Sequence, residues 1–264
     1  PAMMIPQIAR KLLEEYSPKD GVLQNVFDPY MGSGTTLVEC QRLGIKSVGT
    51  DINPLARFIA TVKTKRYDLE KLVKEVSNFE LYLKKVFRIH DQIDEAIDLS
   101  HITNMEFWYT AKSIQELKVL TYYNKYELNS VFKDFFDLAL AECVREVSFT
   151  RNGEFKRYRM PADKLEKWDP NVYELFFKKM KRNISYLSNY LSNTKDVEAK
   201  ISSFNTIDEL PIEYVNEVFD MIVTSPPYGD SRTTVAYGQF SRWANEWFDF
   251  DNAKSIDKFL MGGR

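Results

Sequence analysis

An α/β fold with an open parallel sheet is the fold class that this sequence of 264 residues predicts. Three stretches carry the prediction. A strand, a Gly-rich turn and a helix follow one another across residues 22–43, a second short strand at 46–50 ends at Asp51, and the apolar run 218–224 stops before two prolines. Prolines end a strand because they lack an N–H group and fix φ. Ligands of such sheets bind beyond the carboxyl ends of the strands, so we expect a site there.

Composition narrows the class of protein. The chain is 44% apolar and 28% charged, with a formal net charge of −2, which favours a folded chain with a charged surface over a disordered one. No apolar run approaches the roughly 18 residues of a membrane span, and the first residues lack a basic signal-peptide region. Cys40 and Cys143 stand alone in the sequence. We therefore predict a cytoplasmic protein with reduced thiols, no membrane association and no metal site.

The first third of the chain predicts a helix and then a nucleotide-binding type of unit. The helical spacing of four apolar residues indicates a helix over 4–16, with Pro6 in its first turn; the four are Ile5, Ile8, Leu12 and Leu13. A strand over 22–27 leads into the Gly-rich turn at 28–36. Two threonines after the second glycine are expected to cap the next helix, whose free N–H groups would face a ligand.

The residues of this turn limit the kind of ligand. The turn is not a Walker phosphate loop, because no Gly-Lys-Ser/Thr follows, and it lacks the third glycine of the GxGxxG pattern. Asp28 ends the strand with a carboxylate, which would repel a pyrophosphate. A ligand that is cationic or neutral at this point is therefore favoured. Asp51 ends the next strand, where a carboxylate commonly holds ribose hydroxyls.

A long helical segment is predicted between the two halves of the sheet. Apolar periodicity indicates helices near 69–86, 113–123, 131–144 and 172–191. An Asn-Gly turn between alternating residues predicts a hairpin over 148–159. Ten Lys or Arg residues against five acids between 151 and 182 suit a nucleic-acid phosphate backbone, with a solvated charged face as the alternative. The basic residues that we predict for DNA contact here are Arg151, Lys156, Arg157 and Arg159.

The last part of the chain returns to the sheet. A strand is predicted at 199–204 and another at 218–224. The turn that follows offers the Ser225 hydroxyl, the Pro226 carbonyl and the aromatic face of Tyr228, which together could hold a planar ring that carries an amino group. Ordinary turn chemistry is the alternative for these four residues.

Together, the stretches DPYMGSGTT at 28–36 and SPPY at 225–228 resemble the motifs of the S-adenosylmethionine-dependent DNA amino-methyltransferases, which methylate the exocyclic amine of cytosine or adenine. The resemblance covers residues 1–66 and about 200–245. It implies S-adenosylmethionine as cofactor, ribose binding by Asp51, adenine packing by Ile52 and an adenine-edge contact by Asn205. The full cofactor set that it implies is Asp28, Pro29, Tyr30, Gly32, Gly34, Thr35, Thr36, Asp51, Ile52, Asn53 and Asn205. The implied catalytic residues are Ser225, Pro226, Pro227 and Tyr228, and Arg232 is a further basic residue that we assign to DNA contact.

The resemblance also implies a target and partners. Ser before the two prolines is commoner in family members that act on cytosine, so cytosine N4 is preferred, with adenine N6 as the alternative. An RNA or protein-glutamine amino-methyltransferase and a non-catalytic subunit are the competing functions. Expected partners are double-stranded DNA, a second polypeptide that completes the sheet and a cognate restriction endonuclease.

The expected architecture is a Rossmann-like methyltransferase sheet with only its first four strands and a large helical insertion. The family's sheet places the strand of the SPPY turn beside that of the Gly-rich turn, which would leave the SPPY strand as an exposed apolar edge. We divide the chain into a first cofactor-binding part (1–66), an insertion that contacts the target (67–197) and a continuation of the catalytic part (198–264). A split enzyme that is inactive without a partner chain is the alternative.

Overall fold

The computed structural model describes residues 4–18, 21–86, 90–151, 153–154, 156–206, 208, 211–225, 237–256 and 259–260. These residues form two compact units. We call residues 1–66, 189–238 and 255–264 the α/β unit, and residues 67–188 and 239–254 the helical unit. Within the described residues, no helix is both long and apolar enough to cross a membrane.

The elements follow the chain in the order α1, β1, α2, β2, α3 to α10, β3, β4 and α11. The helices and strands of the α/β unit are α1 (Pro6–Glu15), β1 (Asn25–Asp28), α2 (Thr35–Leu43), β2 (Lys46–Thr50), α3 (Pro54–Thr64), β3 (Ala199–Ser202) and β4 (Met221–Ile222). The helices that follow α3 are α4 (Leu69–Leu83), α5 (His90–Ala96), α6 (Met105–Trp108), α7 (Ala111–Tyr122), α8 (Lys133–Glu146), α9 (Ala162–Leu165), α10 (Val172–Asn193) and α11 (Tyr237–Trp247). The long helices of the predicted segment are confirmed, with ends that shift by a few residues. The sequence did not predict α3, α11 or the short helices.

The sheet is parallel and has the order β3-β2-β1-β4. Strand β1 lies between β2 and β4, with Phe27 opposite Val48 on one side and Ile222 on the other. This confirms that the strand of the Gly-rich turn neighbours the strand before Ser225. Among the described residues β4 is an outer strand; its Ile222 is 63% exposed, and Val218, which precedes the strand, is 80% exposed.

Two apolar clusters fix α1 to α3 against the sheet. Leu13 of α1 packs with Val26 of β1, Cys40 of α2 and Val223 after β4. The second cluster contains Met31, Leu37 and Ala60. The predicted helix α1 is confirmed. Its buried residues are Ala9 and Leu13, whereas Ile5 and Ile8, which helped to predict it, are about half exposed.

The helical unit has an aromatic core. The ring of Phe79 on α4 lies 4.6 Å from that of Tyr123 and 5.4 Å from that of Phe176 on α10, measured between ring centroids. In α11, the indole N–H of Trp243 donates to the Thr150 hydroxyl at 2.9 Å, and that of Trp247 donates to the Thr121 hydroxyl at 3.1 Å. A buried indole N–H usually needs a hydrogen-bond partner. The formation of α11 therefore depends on Thr150 and Thr121, which lie far from it in the sequence.

Candidate active site

The Gly-rich turn connects β1 to α2 through two glycines in the left-handed region. Gly32 has φ +51° and Gly34 has φ +75°. A Cβ atom on Gly34 would lie 2.8 Å from the Cβ of Ala60 on α3, whereas one on Gly32 would meet no atom within 4 Å. Gly34 is therefore required by conformation and by packing, and the space in front of Gly32 is open.

The threonines after Gly34 do not cap the helix, which corrects the sequence prediction. Helix α2 begins at Thr35, and its cap position is Gly34, which makes no side-chain hydrogen bond. Because Gly34 supplies the positive φ that turns the chain, Thr35 and Thr36 fall inside the first helical turn. Both are buried. The two residues lie at the turn, although not in the capping role that we assigned to them.

Asp28 points into the protein at the end of β1. Its side chain is 2% exposed, and one carboxylate oxygen accepts the Tyr30 N–H at 3.1 Å. Burial raises the pKa of this carboxyl above its ordinary value, and the hydroxyl groups of Thr36 and Thr224 oppose that rise. Asp28 thus faces both the helix after the Gly-rich turn and the residue before Ser225.

Asp51 connects the end of β2 to the Gly-rich turn. One oxygen of its carboxylate accepts the Gly32 N–H at 3.1 Å and the other accepts the Asn53 N–H at 2.8 Å. Burial raises the pKa of Asp51, and these two N–H groups together with Arg57 oppose the rise. Each carboxylate oxygen can accept two hydrogen bonds, so the carboxylate retains acceptor capacity for hydroxyl groups.

Asn53 and Ile52 follow Asp51 at the start of α3. The amide oxygen of Asn53 accepts the Leu55 N–H at 3.1 Å and caps α3, with Pro54 in the first helical position. The Arg57 guanidinium donates to the carbonyl oxygens of Asp51 and Ile52 at 2.8 and 2.9 Å. The backbone of this segment is therefore held from both sides.

Asn205 lies beyond the end of β3, next to the end of β2. The Thr50 hydroxyl donates to the carbonyl of Phe204 at 2.6 Å, and the Asp51 N–H donates to that of Ser202 at 3.4 Å. The carbonyl of Asn205 accepts the Asp208 N–H at 3.1 Å. These bonds bring the Asn205 backbone to the same edge of the sheet as Asp51.

Ser225 is exposed and follows β4 by three residues. Because β1 and β4 are parallel neighbours, with the Val223 N–H donating to the Phe27 carbonyl at 3.0 Å, their carboxyl ends meet at one edge. The structure thus brings Ser225 to the edge that carries Asp28 and the Gly-rich turn. The other predicted catalytic residues, Pro226, Pro227 and Tyr228, lie outside the described residues, as does Arg232.

The predicted hairpin of the helical unit is a short loop closed by one antiparallel bridge between Thr150 and Arg159. The guanidinium of Arg157 lies 4.9 Å from the ring centroid of Trp243, and that of Arg159 lies 4.2 Å from the centroid of Phe107. Arg151 is exposed and pairs with Glu154 at 3.4 Å. Lys156 is half-buried. Arg157 and Arg159 are thus stacked on aromatic rings, whereas Arg151 is exposed.

A family model described as DNA methylase matches residues 1–61. The chain is 39% identical over 274 residues to the Type II methyltransferase M.MvaI from Kocuria varians, an alignment that covers 100% of this chain and 60% of the relative. These two matches support the DNA amino-methyltransferase family for this chain.

Two more distant relatives are also named Type II methyltransferases. The Type II methyltransferase M.MjaII from Methanocaldococcus jannaschii is 25% identical, over 96% of this chain and 62% of the relative. The Type II methyltransferase M.BsoBI from Geobacillus stearothermophilus is 24% identical, over 84% and 47%. The chain thus spans between about half and two thirds of the length of these relatives. No solved structure matches the chain significantly.

Helix α3 contains three residues that the sequence analysis missed. Arg57 and Ala60 contact the backbone at Asp51 and Gly34, and the Lys63 ammonium donates to the Ser33 carbonyl at 2.8 Å. All three lie on α3, which was not predicted. Asn53 before Pro54, followed by apolar residues at helical spacing, is the signal that indicates this helix.

Proposed function

We propose that this chain is the catalytic part of an S-adenosylmethionine-dependent methyltransferase that acts on the exocyclic N4 amine of cytosine in DNA. The observation that carries the proposal is the parallel pairing of β1 with β4, because it brings Ser225 to the edge of the sheet that holds the Gly-rich turn. Cofactor and target base would then meet at that edge, as ligands do in open α/β sheets.

The residues of the turn suit this cofactor. The open space in front of Gly32 lets a ligand approach the backbone closely, and the first turn of α2 has N–H groups without helical partners. Asp51 has acceptor capacity left for the two ribose hydroxyls. The buried carboxylate of Asp28 makes the region electronegative, which suits a positively charged sulfonium better than a phosphate.

When bound, S-adenosylmethionine supplies an electrophilic methyl group on sulfur. The lone pair of an exocyclic amine is delocalised into the ring, so the amine is a weak nucleophile. We propose that the Ser225 hydroxyl and the Pro226 carbonyl accept the two amine hydrogens and draw them out of the ring plane. The lone pair would then return to nitrogen and form the bond to the methyl carbon, the sulfur would keep the electron pair of the broken sulfur–carbon bond as a neutral thioether, and the methylated nitrogen would release one proton to water. Tyr228 would stack on the base after it leaves the duplex.

Two alternatives differ in the target and in completeness. Methylation of adenine N6 needs the same geometry, so only the product distinguishes it. A split enzyme is the second alternative. The exposure of Val218 and Ile222 at the outer strand suits a further strand at this edge, and in a split enzyme a second polypeptide would supply that strand. A cognate restriction endonuclease would act on the same DNA site.

The experiment is transfer of a labelled methyl group to plasmid DNA, followed by mass spectrometry of the nucleosides. N4-methylcytosine would support the proposal, and N6-methyladenine would replace the target base. Transfer that begins only when a second polypeptide is added would establish the split enzyme. Absence of transfer with and without that polypeptide would contradict the proposed function.

Substitution of Ser225 tests its role. We expect Ser225→Ala to lower the rate of transfer by about 100-fold, the usual effect of removing one polar group that acts in the transition state, while cofactor affinity stays within about twofold. Ser203→Ala, at an exposed serine after β3, is the control. A collapse of cofactor affinity in Ser225→Ala, measured by calorimetry, would contradict the assigned role.

A further inference from the structure

Helix α3 contacts two successive residues of the Gly-rich turn, Ser33 and Gly34. The Cα and Cβ of Ala60 lie where a side chain on Gly34 would project, and the Lys63 ammonium, one turn further along α3, donates to the Ser33 carbonyl at 2.8 Å. The Gly32 N–H donates to Asp51, which follows β2. Each residue of the Gly32–Gly34 segment is therefore contacted either by Asp51 or by a residue of α3. Of these contacts, only the one from Lys63 depends on a basic side chain.

The charge of Lys63 is balanced by Glu39 on α2. Glu39 is 3% exposed, accepts the Arg10 guanidinium of α1 at 2.7 Å and lies 3.6 Å from the guanidinium nitrogen of Arg42. Its negative charge also acts on Lys63 and favours the protonated form. The buried Glu39 carboxylate of α2 therefore pairs with Arg10 of α1 and acts electrostatically on Lys63 of α3.

We propose that Lys63 is a positioning residue for cofactor binding, which holds the Ser33 carbonyl and so keeps the Gly-rich turn in the shape that leaves the space in front of Gly32 open to the ligand. The inference rests on the proposed function. The Ser33 carbonyl and the Gly34 N–H belong to one peptide group, and that N–H donates to the Met31 carbonyl at 2.9 Å, so Lys63 and Met31 hold the same peptide group from its two ends. The residue would touch the turn and not the cofactor.

The environment of Lys63 makes its hydrogen bond to the Ser33 carbonyl dependent on pH. Burial lowers the pKa of Lys63 to about 8, and Glu39 opposes the decrease. Below pH 8 the ammonium makes a charge-assisted bond to the carbonyl, which is about twice as strong as a neutral one. Above pH 8 the amine is neutral and its hydrogen bond to the Ser33 carbonyl weakens. Cofactor affinity should therefore decrease as pH rises through this value.

The test measures the dissociation constant for S-adenosylmethionine by calorimetry between pH 6.5 and 9.5. At pH 7 we expect Lys63→Met to bind about tenfold more weakly than the unchanged chain, Lys63→Arg to recover most of that loss, and Lys46→Met, at an exposed lysine of β2, to bind normally. The unchanged chain should lose affinity above pH 8. Lys63→Arg should lose about threefold less over the same range, because arginine does not titrate there while the cofactor's own amine titrates equally in both.

Two results would overturn the inference. One is equal affinity of Lys63→Met and Lys46→Met at pH 7. The other is an equal loss of cofactor affinity with rising pH in Lys63→Arg and in the unchanged chain. This comparison does not use Lys63→Met, so it remains valid if that variant does not fold. Failure of the proposed function gives a different result, because the unchanged chain would then show no binding at any pH.

Discussion

The α/β unit and the helical unit both bury charged side chains, but they use them on different partners. In the α/β unit, Asp51 and Lys63 bind backbone groups of the Gly-rich turn. In the helical unit, Lys179 of α10 pairs with Glu142 and Glu146 of α8, and Arg182 also pairs with Glu142. The charges of Asp51 and Lys63 shape a loop and leave acceptor capacity, whereas those between α8 and α10 satisfy one another, as Glu39 and Arg10 do within the α/β unit. Burial of charge alone thus does not indicate a site, and the kind of partner decides.

The largest effect should come from the backbone of the Gly-rich turn. We expect Gly34→Ala to destabilise the fold by about 3 kcal/mol, because alanine is strained at φ +75° and its Cβ would lie 2.8 Å from that of Ala60. Gly153→Ala in the loop of the helical unit has open space and should change stability by less than about 0.5 kcal/mol. Urea unfolding measures both.

Gly32→Ala sharpens this prediction. Alanine at φ +51° meets no atom within 4 Å, so the strain should cost only about 1 kcal/mol. Its methyl group would project into the space that we assign to the cofactor, and affinity should decrease more than stability does. Normal cofactor affinity in Gly32→Ala would mean that the ligand does not approach the turn at this residue.

A smaller effect is expected from the ion pairs of the helical unit. Lys179 is 9% exposed, and Lys179→Met would leave Glu146 and part of the Glu142 charge without their partner. Because both carboxylates are about one-third exposed, we expect a loss of about 2 kcal/mol, below the range for a fully buried pair. Lys181→Met, at an exposed position of the same helix, is the control. Cofactor affinity should not change, and a decrease would contradict the separate use of charge in the two units.

The sequence predicted those parts of the fold that local patterns determine. Strands β1 and β2 and the long helices follow from alternation and periodicity, and the pairing of β1 with β4 followed from the resemblance of the two motifs. The buried residues of α1 did not, because the small side chain of Ala9 is buried while the larger apolar ones of Ile5 and Ile8 are about half exposed. Helix α11 likewise depends on remote partners for Trp243 and Trp247.

The candidate site was predicted to a similar extent. Asp28, Asp51 and the two glycines are recognisable because each stands at a strand end or in a turn. Glu39 and Lys63 are ordinary helix residues in the sequence, and their importance arises only when three helices meet at one turn. Arg157 shows a related difficulty, because an arginine beside aromatic residues suits both nucleic acid and internal stacking. Its distance to Trp243 shows the stacking, and its contact with DNA stays a prediction.

The smallest effects should separate the arginines of the loop in the helical unit. Arg157→Ala removes a guanidinium that stacks on Trp243 and Trp108 and should cost about 1 kcal/mol of stability. Arg151→Ala should leave stability unchanged and weaken DNA binding. If Arg151 contacts a phosphate, the plot of log affinity against log salt concentration should become shallower by about 0.9. Fluorescence anisotropy with a labelled duplex measures this slope, and a shallower slope in Arg157→Ala without a loss of stability would assign the DNA contact to the stacked arginine instead.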